Sequence, residues 1–365
     1  MLAFVVRRLL SGVLLIVLLT FVTFFVANEI PQNKACIVMH CTQQTTRAEM
    51  VAALHKAGLD RPVLVQYGDY LWRIVRHQSF GPGWAVLSPD SEIRSALPAT
   101  ASLVLGGMLL TMLLAVPLGA IAALRPRSPV DHSLLTFSVV GLAVHPFVLG
   151  ILLQQFAMHA FGAPRSLYCP LTTHAVPATP TFPGQPIPLN VKGPDACGGP
   201  LQWAAHMAVP WLVFALFFVP LYLRMIRTRL MDTLGERYVM TARAKGAGER
   251  RVVLRHALRN GVGPLLPMVA LDAGTAITAA IYVETIFALP GLGHLAVVGL
   301  SGEFFDGVYD LPLITSLVFT IGVFVVLLSA AADIASAWLD PRVRERTARG
   351  LIPLPGFLRR SVARA

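Results

Sequence analysis

Apolar residues in this chain come in long unbroken runs rather than in the short alternations of a soluble fold. A helix rises about 1.5 Å per residue, so roughly 20 apolar residues cross a hydrocarbon core of about 30 Å. Six stretches reach that length: residues 9–28, a segment within 95–124, another within 132–160, then 206–223, 260–283 and 311–332. Of these only the fifth carries an acid, Asp272. Backbone polar groups in lipid must be satisfied inside the segment, so the runs predict helices. The expected fold class is all-α, a polytopic membrane protein with six transmembrane helices. The first run is longer than the roughly 7–15 apolar residues of a cleaved signal core, and no small-x-small site follows it. It is expected to stay as an anchor.

Composition agrees with that reading. Hydrophobic residues make up 55% and charged residues 13%, against about 25% charged in ordinary soluble domains, and the mean hydropathy is +0.65. A soluble enzyme, a secreted disulfide scaffold and a disordered chain are all set aside. The net charge of +11 would suggest a nucleic-acid partner in a soluble protein, so its placement matters. Arg7 and Arg8 precede the first run, and Arg125 and Arg127 sit between the second and third. The link between the fourth and fifth holds Arg224, Arg227, Arg229, Arg237, Arg243, Lys245, Arg250, Arg251, Arg255 and Arg259. With the tail after Asp340, these places hold 21 of the 30 basic residues, so the charge is topology and no nucleic-acid partner is expected. Basic flanks mark the cytoplasmic side, which puts both termini and the two basic links there.

Two sizeable segments are expected outside. Residues 29–94 contain Val63, Leu64, Tyr67, Tyr70, Leu71, Ile74 and Val75 at helical spacing, an amphipathic stretch for the membrane surface or the spans. Residues 161–205 are rich in Pro and Gly and read as an irregular loop. All four cysteines, Cys36, Cys41, Cys169 and Cys197, fall in these segments. An even count on an oxidising face suggests one or two disulfides; four cysteines allow three pairings, of which Cys36–Cys41 with Cys169–Cys197 is the simplest. The alternative, a metal site joined by His159, His174 or His206, lacks any recognised ligand spacing. His145, ahead of Pro146, reads as a kink-associated packing residue.

The long basic link carries the most information. Glu236 to Lys245 is compatible with helix, Gly246 and Gly248 break it, and a second helix is expected from about Glu249 into the fifth span. Charge alone would fit a solvated basic loop, but Tyr238, Val239, Ala242 and the glycine turn do not suit a surface that needs only charge. Tyr238-Val-Met-Thr-Ala-Arg-Ala-Lys-Gly246, followed by Arg255-His-Ala-Leu-Arg-Asn260, resembles the cytoplasmic loop signature of binding-protein-dependent ABC importer permeases. Within that family it is similar to the B-type subunit of dipeptide and oligopeptide (peptide/nickel) importers. Val283-Glu-Thr-Ile-Phe-Ala-Leu-Pro-Gly-Leu-Gly293, Leu339-Asp-Pro-Arg-Val-Arg344, Gly58-Leu-Asp-Arg-Pro62 and Leu97-Pro-Ala-Thr100 extend the resemblance over nearly the whole chain. Departures include Met240 where Arg is common and the long outer segment 161–205.

The resemblance implies a type I ABC importer transmembrane domain in the plasma (inner) membrane. It would span residues 95–339, between an N-terminal helix with an outer segment (1–94) and a basic tail (340–365), with residues 224–260 as coupling loop. The implied partners are a second homologous permease, two cytoplasmic ATPase subunits that use ATP and Mg, and an extracytoplasmic peptide-binding protein. The chain has no phosphate-cradling Gly-x-x-x-x-Gly-Lys-Ser/Thr loop, so it is expected to be a transport subunit, without catalytic residues, cofactor or metal of its own. Tyr238 and Ala242 are expected to pack into an ATPase groove, Arg243 and Lys245 to make polar contacts, and Gly246 to permit the turn. Asp272 reads either as a pathway-lining residue or as a partner for another helix. Glu284 reads either as a gate residue that closes by hydrogen bonding or as an interfacial acid. Nickel or another small solute is the alternative cargo. A secondary transporter would lack any reason for the loop signature, and a membrane enzyme would lack a nucleophile–base set.

Overall fold

The computed structural model describes residues 2–29, 46–81, 83, 88–161, 199–258, 261, 265–301 and 310–339. Every regular element among the described residues is helical. In chain order these are α1 (Leu2–Glu29), α2 (Arg47–Ala57), α3 (Val63–His77), α4 (Pro89–Leu124), α5 (Pro129–Ala143), α6 (Pro146–Phe161) and α7 (Pro200–Leu234). They continue as α8 (Arg237–Ala244), α9 (Glu249–Arg251) running into a π-helix (Val252–Ala257), α10 (Leu266–Leu271), α11 (Ala273–Phe287), α12 (Leu292–Ser301) and α13 (Leu311–Leu339). The four cysteines, His174 and the tail 340–365 lie outside the described residues.

The centre of the molecule is the pair α4 and α7, of 36 and 35 residues, each more than 50 Å long at about 1.5 Å per residue. They run parallel and close. The Trp211 indole N–H donates to the Ser102 carbonyl at 2.9 Å. A Cβ on Gly106 would collide with Trp211, one on Gly107 with Phe214, and one on Gly119 would meet the Leu223 carbonyl at 3.0 Å. In lipid, helices associate through such close packing, because hydrocarbon solvates leucine as well as a protein core does. Leu103, Val104, Phe214, Tyr222, Val283 and Phe287 fill the core around this pair. The helices α1 and α13 pack antiparallel at one side. Arg8 Nε meets the Asp333 carboxylate at 2.8 Å at one end, and Ala27 packs with Leu311 at the other.

The runs read from the sequence recur, with three differences. Four helices, α1, α4, α7 and α13, are long and apolar enough to cross a membrane alone; the pairs α5–α6 and α11–α12, bent by 105° and 76°, bring the number to six if each is one span. The run at 132–160 is therefore not one helix. Its break falls at Val144, whose ψ is 120°, because the ring of Pro146 clashes with a helical His145 before it. His145 then accepts the Phe147 N–H on Nδ1 at 3.2 Å and sets its ring edge-on to Tyr282, centroids 5.0 Å apart. The expected packing role at a kink holds, but the bend is far sharper than a kink. The run at 260–283 is interrupted at Asp272 and continues past Val283 to Phe287. Finally, the expected outer loop 161–205 is shorter, since α7 begins at Pro200.

Near the end of α1 away from Arg8, α3 is the amphipathic stretch read from the sequence. Tyr67 and Tyr70 are buried against Phe24 of α1, and the Tyr67 hydroxyl donates to the Val17 carbonyl at 2.8 Å. At the opposite, basic end Asp131 is almost fully buried. It takes both prongs of the Arg227 guanidinium, at 2.5 and 2.7 Å, and the Arg127 N–H at 2.9 Å. This bidentate fork ties the α4–α5 link to the C-terminal part of α7. Asp131→Ala should destabilise the purified protein in detergent by about 3 kcal/mol, because it strands a largely buried guanidinium. Adding Arg227→Met should recover most of that loss in the same thermal-unfolding measurement.

Candidate functional site

The basic link forms a helix, a glycine turn and a second helix at the arginine-rich end of the bundle. Eight residues make up α8. Its C-terminus is a Schellman motif: the Ala247 N–H donates to the Ala242 carbonyl at 3.2 Å and the Gly246 N–H to the Arg243 carbonyl at 2.9 Å. Such a stop needs a left-handed residue, and Gly246 supplies it with φ +79°. Tyr238, Arg243 and Lys245 are exposed, and Ala242 is half-buried. Val239 faces the bundle and is fully buried. The sequence marks it, with Tyr238 and Ala242, as ill-suited to a surface that needs only charge; one residue from Tyr238, it lies about 100° round the helix on the bundle-facing side.

Arg243 closes the loop on itself. Its guanidinium donates to both Glu249 oxygens, at 2.5 and 3.1 Å. The hydrogen bonding raises the Arg243 pKa and holds the Glu249 carboxyl below its ordinary range. Beyond Glu249 the chain was expected to be α-helical; it instead adopts a π-helix, in which the Leu258 N–H reaches back five residues to Val253. Val252, Val253 and Ala257 are buried, and Ala257 packs with Leu230 of α7 and Ala123 of α4. The loop is therefore fixed to the C-terminal ends of the two central helices. Tyr238, Ala242, Arg243, Lys245 and Gly246 are brought together there; Asp272 and Glu284 are elsewhere.

Asp272 occupies the interruption between α10 and α11. The Tyr222 hydroxyl of α7 donates to its carboxylate at 2.6 Å, so the residue does have a partner on another helix. Tyr222 precedes Arg227 by only five residues, about 7.5 Å of helix rise. The carboxylate thus lies towards the arginine-rich end of the bundle. It remains half-buried.

Glu284 is fully buried. The Thr100 hydroxyl of α4 donates to Oε1 at 2.6 Å, while Oε2 accepts the Gly293 and His294 N–H groups at 2.7 and 3.0 Å. Thr100 in turn accepts the Leu292 N–H at 2.8 Å. The carboxylate and the hydroxyl together cap the first turn of α12, whose unpaired N–H groups and dipole favour an anion. A Cβ on Gly291 would overlap the carboxylate, and one on Gly293 would meet the Ile281 backbone at 2.7 Å. The Pro-Gly-Leu-Gly segment is thus glycine-rich so that the chain can wrap Glu284. Thr100 stood in a recognised motif, but nothing in that motif revealed its partner 184 residues away. Thr100→Val should leave the Leu292 N–H and Glu284 each one bond short, at about 1–3 kcal/mol per unmet group. Hydrogen exchange at Leu292 and Gly293 should quicken, whereas Thr100→Ser should exchange as the parent does.

Comparison with known proteins places this geometry in a family. Residues 115–345 match the profile of the binding-protein-dependent transport system inner membrane component, and residues 1–87 match the N-terminal profile of the same membrane components. The chain is 30% identical to the di/tripeptide transport system permease protein of Pseudomonas aeruginosa, over 95% of its own length and 100% of the relative's. It is 28% identical to the dipeptide transport system permease protein of Escherichia coli K12, over 95% and 100% of the two chains. An all-helical bundle with up to six spans and a capped helix–turn–helix at its basic end fits that match: the chain belongs to the family of binding-protein-dependent transport system inner membrane components.

Proposed function

We propose that this chain is one permease subunit of an ATP-driven importer of di- and oligopeptides, embedded in the inner membrane with both termini in the cytoplasm. The observation that carries the reading is the near full-length similarity to two peptide permeases, combined with an exposed, rigidly mounted helix at the basic end. The same relatives favour peptides over nickel or another small solute. The arginine-rich end supports a cytoplasmic orientation. By this reading residues 95–339 form the translocating unit, and the partners are a second permease, two ATPase subunits that consume ATP with Mg, and an extracytoplasmic peptide-binding protein.

The force would enter at α8. A short helix seated in a groove draws affinity from side chains at helical spacing, and Tyr238, Thr241 and Lys245 share the outward face of α8. Arg243 acts within the chain in this account: it braces α8 against α9 across the glycine turn. Val239, the buried π-helix residues and the Asp131–Arg227 fork then carry displacement of α8 into α4 and α7 together. Because α4 and α7 are in contact along their length, they would move as one body. Closure of the ATPase pair would shift the balance between inward- and outward-open states through this contact. At the outer end Glu284 would serve a gate by holding α12 at its angle to α11 and α4.

Reconstitution of the assembled importer in proteoliposomes tests the reading: ATP-dependent dipeptide uptake supports it, and uptake driven by a proton gradient without ATP contradicts it. Two loop variants sharpen the test. Gly246→Pro forces φ near −65° and removes the N–H that closes the Schellman motif, while Ala242→Arg puts a charge on the half-buried seam of α8. Both should insert normally and hydrolyse ATP in the complex, yet import little peptide. Normal import by both would contradict the docking role of α8.

A further inference from the structure

The membrane-depth surfaces of α1 and α4 are aliphatic where they are exposed: Leu14, Leu18 and Val22 on α1, and Leu105, Leu109 and Leu113 on α4. That is what acyl chains require. The exposed side of α11 differs. Gly274, Thr275 and Thr278 are exposed there, and Tyr282 and Thr285 are half-buried on the same stripe, since positions 274, 275, 278, 282 and 285 fall on one face at 3.6 residues per turn. A Cβ on Gly274 would meet no atom within 4 Å, so the stripe is open at that point. His145, exposed at the α5–α6 break, adjoins its outer part through the edge-on contact with Tyr282.

Asp272 stands at the inner end of this stripe, on the flank towards α7. The Thr275 hydroxyl donates to the Asp272 backbone carbonyl at 2.8 Å, and Thr278 turns its hydroxyl to the Gly274 carbonyl at 3.3 Å. The threonines are therefore satisfied locally and add a polar surface without a competing charge. The Asp272 carboxylate receives the Tyr222 hydroxyl, and among the described residues no Lys or Arg forms an ion pair with it. An acid at this depth stays ionised only where water or a counter-charge reaches it. Just inside it lies the arginine-rich end of the bundle, whose field opposes the passage of any cation.

We infer that the Asp272 carboxylate is a cation station on the translocation face, taking the ammonium end of a peptide as it moves along the α11 stripe towards the basic exit. The inference rests on the permease reading and adds to it a named contact. Ammonium–carboxylate pairing is a charge-assisted hydrogen bond, strengthened where little water competes. Tyr222 is the positioning residue: its hydroxyl holds one side of the carboxylate and leaves the other for the cargo. The resulting order of groups is hydroxyls first, then a single negative charge, then the positive cytoplasmic rim.

Accessibility labelling in the assembled importer, in membrane vesicles, tests this. Thr275→Cys and Thr278→Cys are each exposed to cationic and anionic methanethiosulfonates of similar size, with the parent chain as blank. Both positions should react, and the cationic reagent should be preferred about tenfold beyond its preference for a free thiol in solution. Asp272→Asn, which keeps an acceptor for Tyr222, should abolish that excess, and Tyr222→Phe, which keeps the charge, should retain it. Saturating dipeptide, delivered on its binding protein, should slow labelling at Thr275→Cys, and Asp272→Asn should relieve the protection. Absence of labelling at both positions, an excess unchanged by Asp272→Asn, or an excess lost equally in Tyr222→Phe would overturn the inference. So would failure of dipeptide to protect while the parent imports it. If the parent imports no dipeptide, the permease reading fails by that separate result, whatever the labelling shows.

Discussion

Hydrocarbon offers no hydrogen bonds, so every polar group that this bundle carries into the membrane must be met from within the chain or by water in a pathway. That constraint organises the molecule. Glu284, wholly buried, is tolerated because Thr100 and two backbone N–H groups of α12 converge on it. Satisfying it requires α12 to start beside α4 and to turn sharply away from α11, and it requires glycine at 291 and 293 so that the backbone can come close. One side chain therefore dictates the course of three helices. Asp131 does the same at the other end, where a paired guanidinium joins α7 to the α4–α5 link.

The two clasps stand at opposite ends of the same helix pair. Between them α4 and α7 are held close by the absence of side chains at Gly106, Gly107 and Gly119. Such a pair resists shear, because sliding would drive Trp211, Phe214 and Ile226 into the opposing backbone. The arginine-rich loop is mounted on one end of the pair through Ala257, Leu230 and Ala123, and the Glu284 clasp is mounted on the other through Thr100. The pair is accordingly stiff, while the bent pairs α5–α6 and α11–α12 are where the bundle breaks direction.

Exposed threonines on α11 make sense within the same physics. A hydroxyl at membrane depth costs little when it is bonded to the carbonyl one turn back, as in Thr275 and Thr278, yet it presents a surface that acyl chains solvate poorly. Asp272 beside them is half-buried and bonded by Tyr222. Together with the aliphatic faces of α1 and α4, this divides the exterior into an aliphatic part and a polar part.

Much of this was legible in the residues alone. Chain-long apolar runs, the single acid among them and the asymmetry of arginine along the chain determined the class, the number of candidate spans and the charged end, because hydrophobic transfer and membrane potential act on local composition. The turn at Gly246 was legible too, since a left-handed residue after a helix is a local requirement, and Pro146 marked a kink at His145. What only the tertiary structure decided were the pairings: Thr100 with Glu284, Arg227 with Asp131 and Tyr222 with Asp272, separated by 184, 96 and 50 residues. The angle at the proline break and the burial of Val239 belong with them. Each depends on which helix faces belong together, and that choice is made by glycine clearances and by the need to satisfy buried charge, neither of which leaves a mark within any one segment.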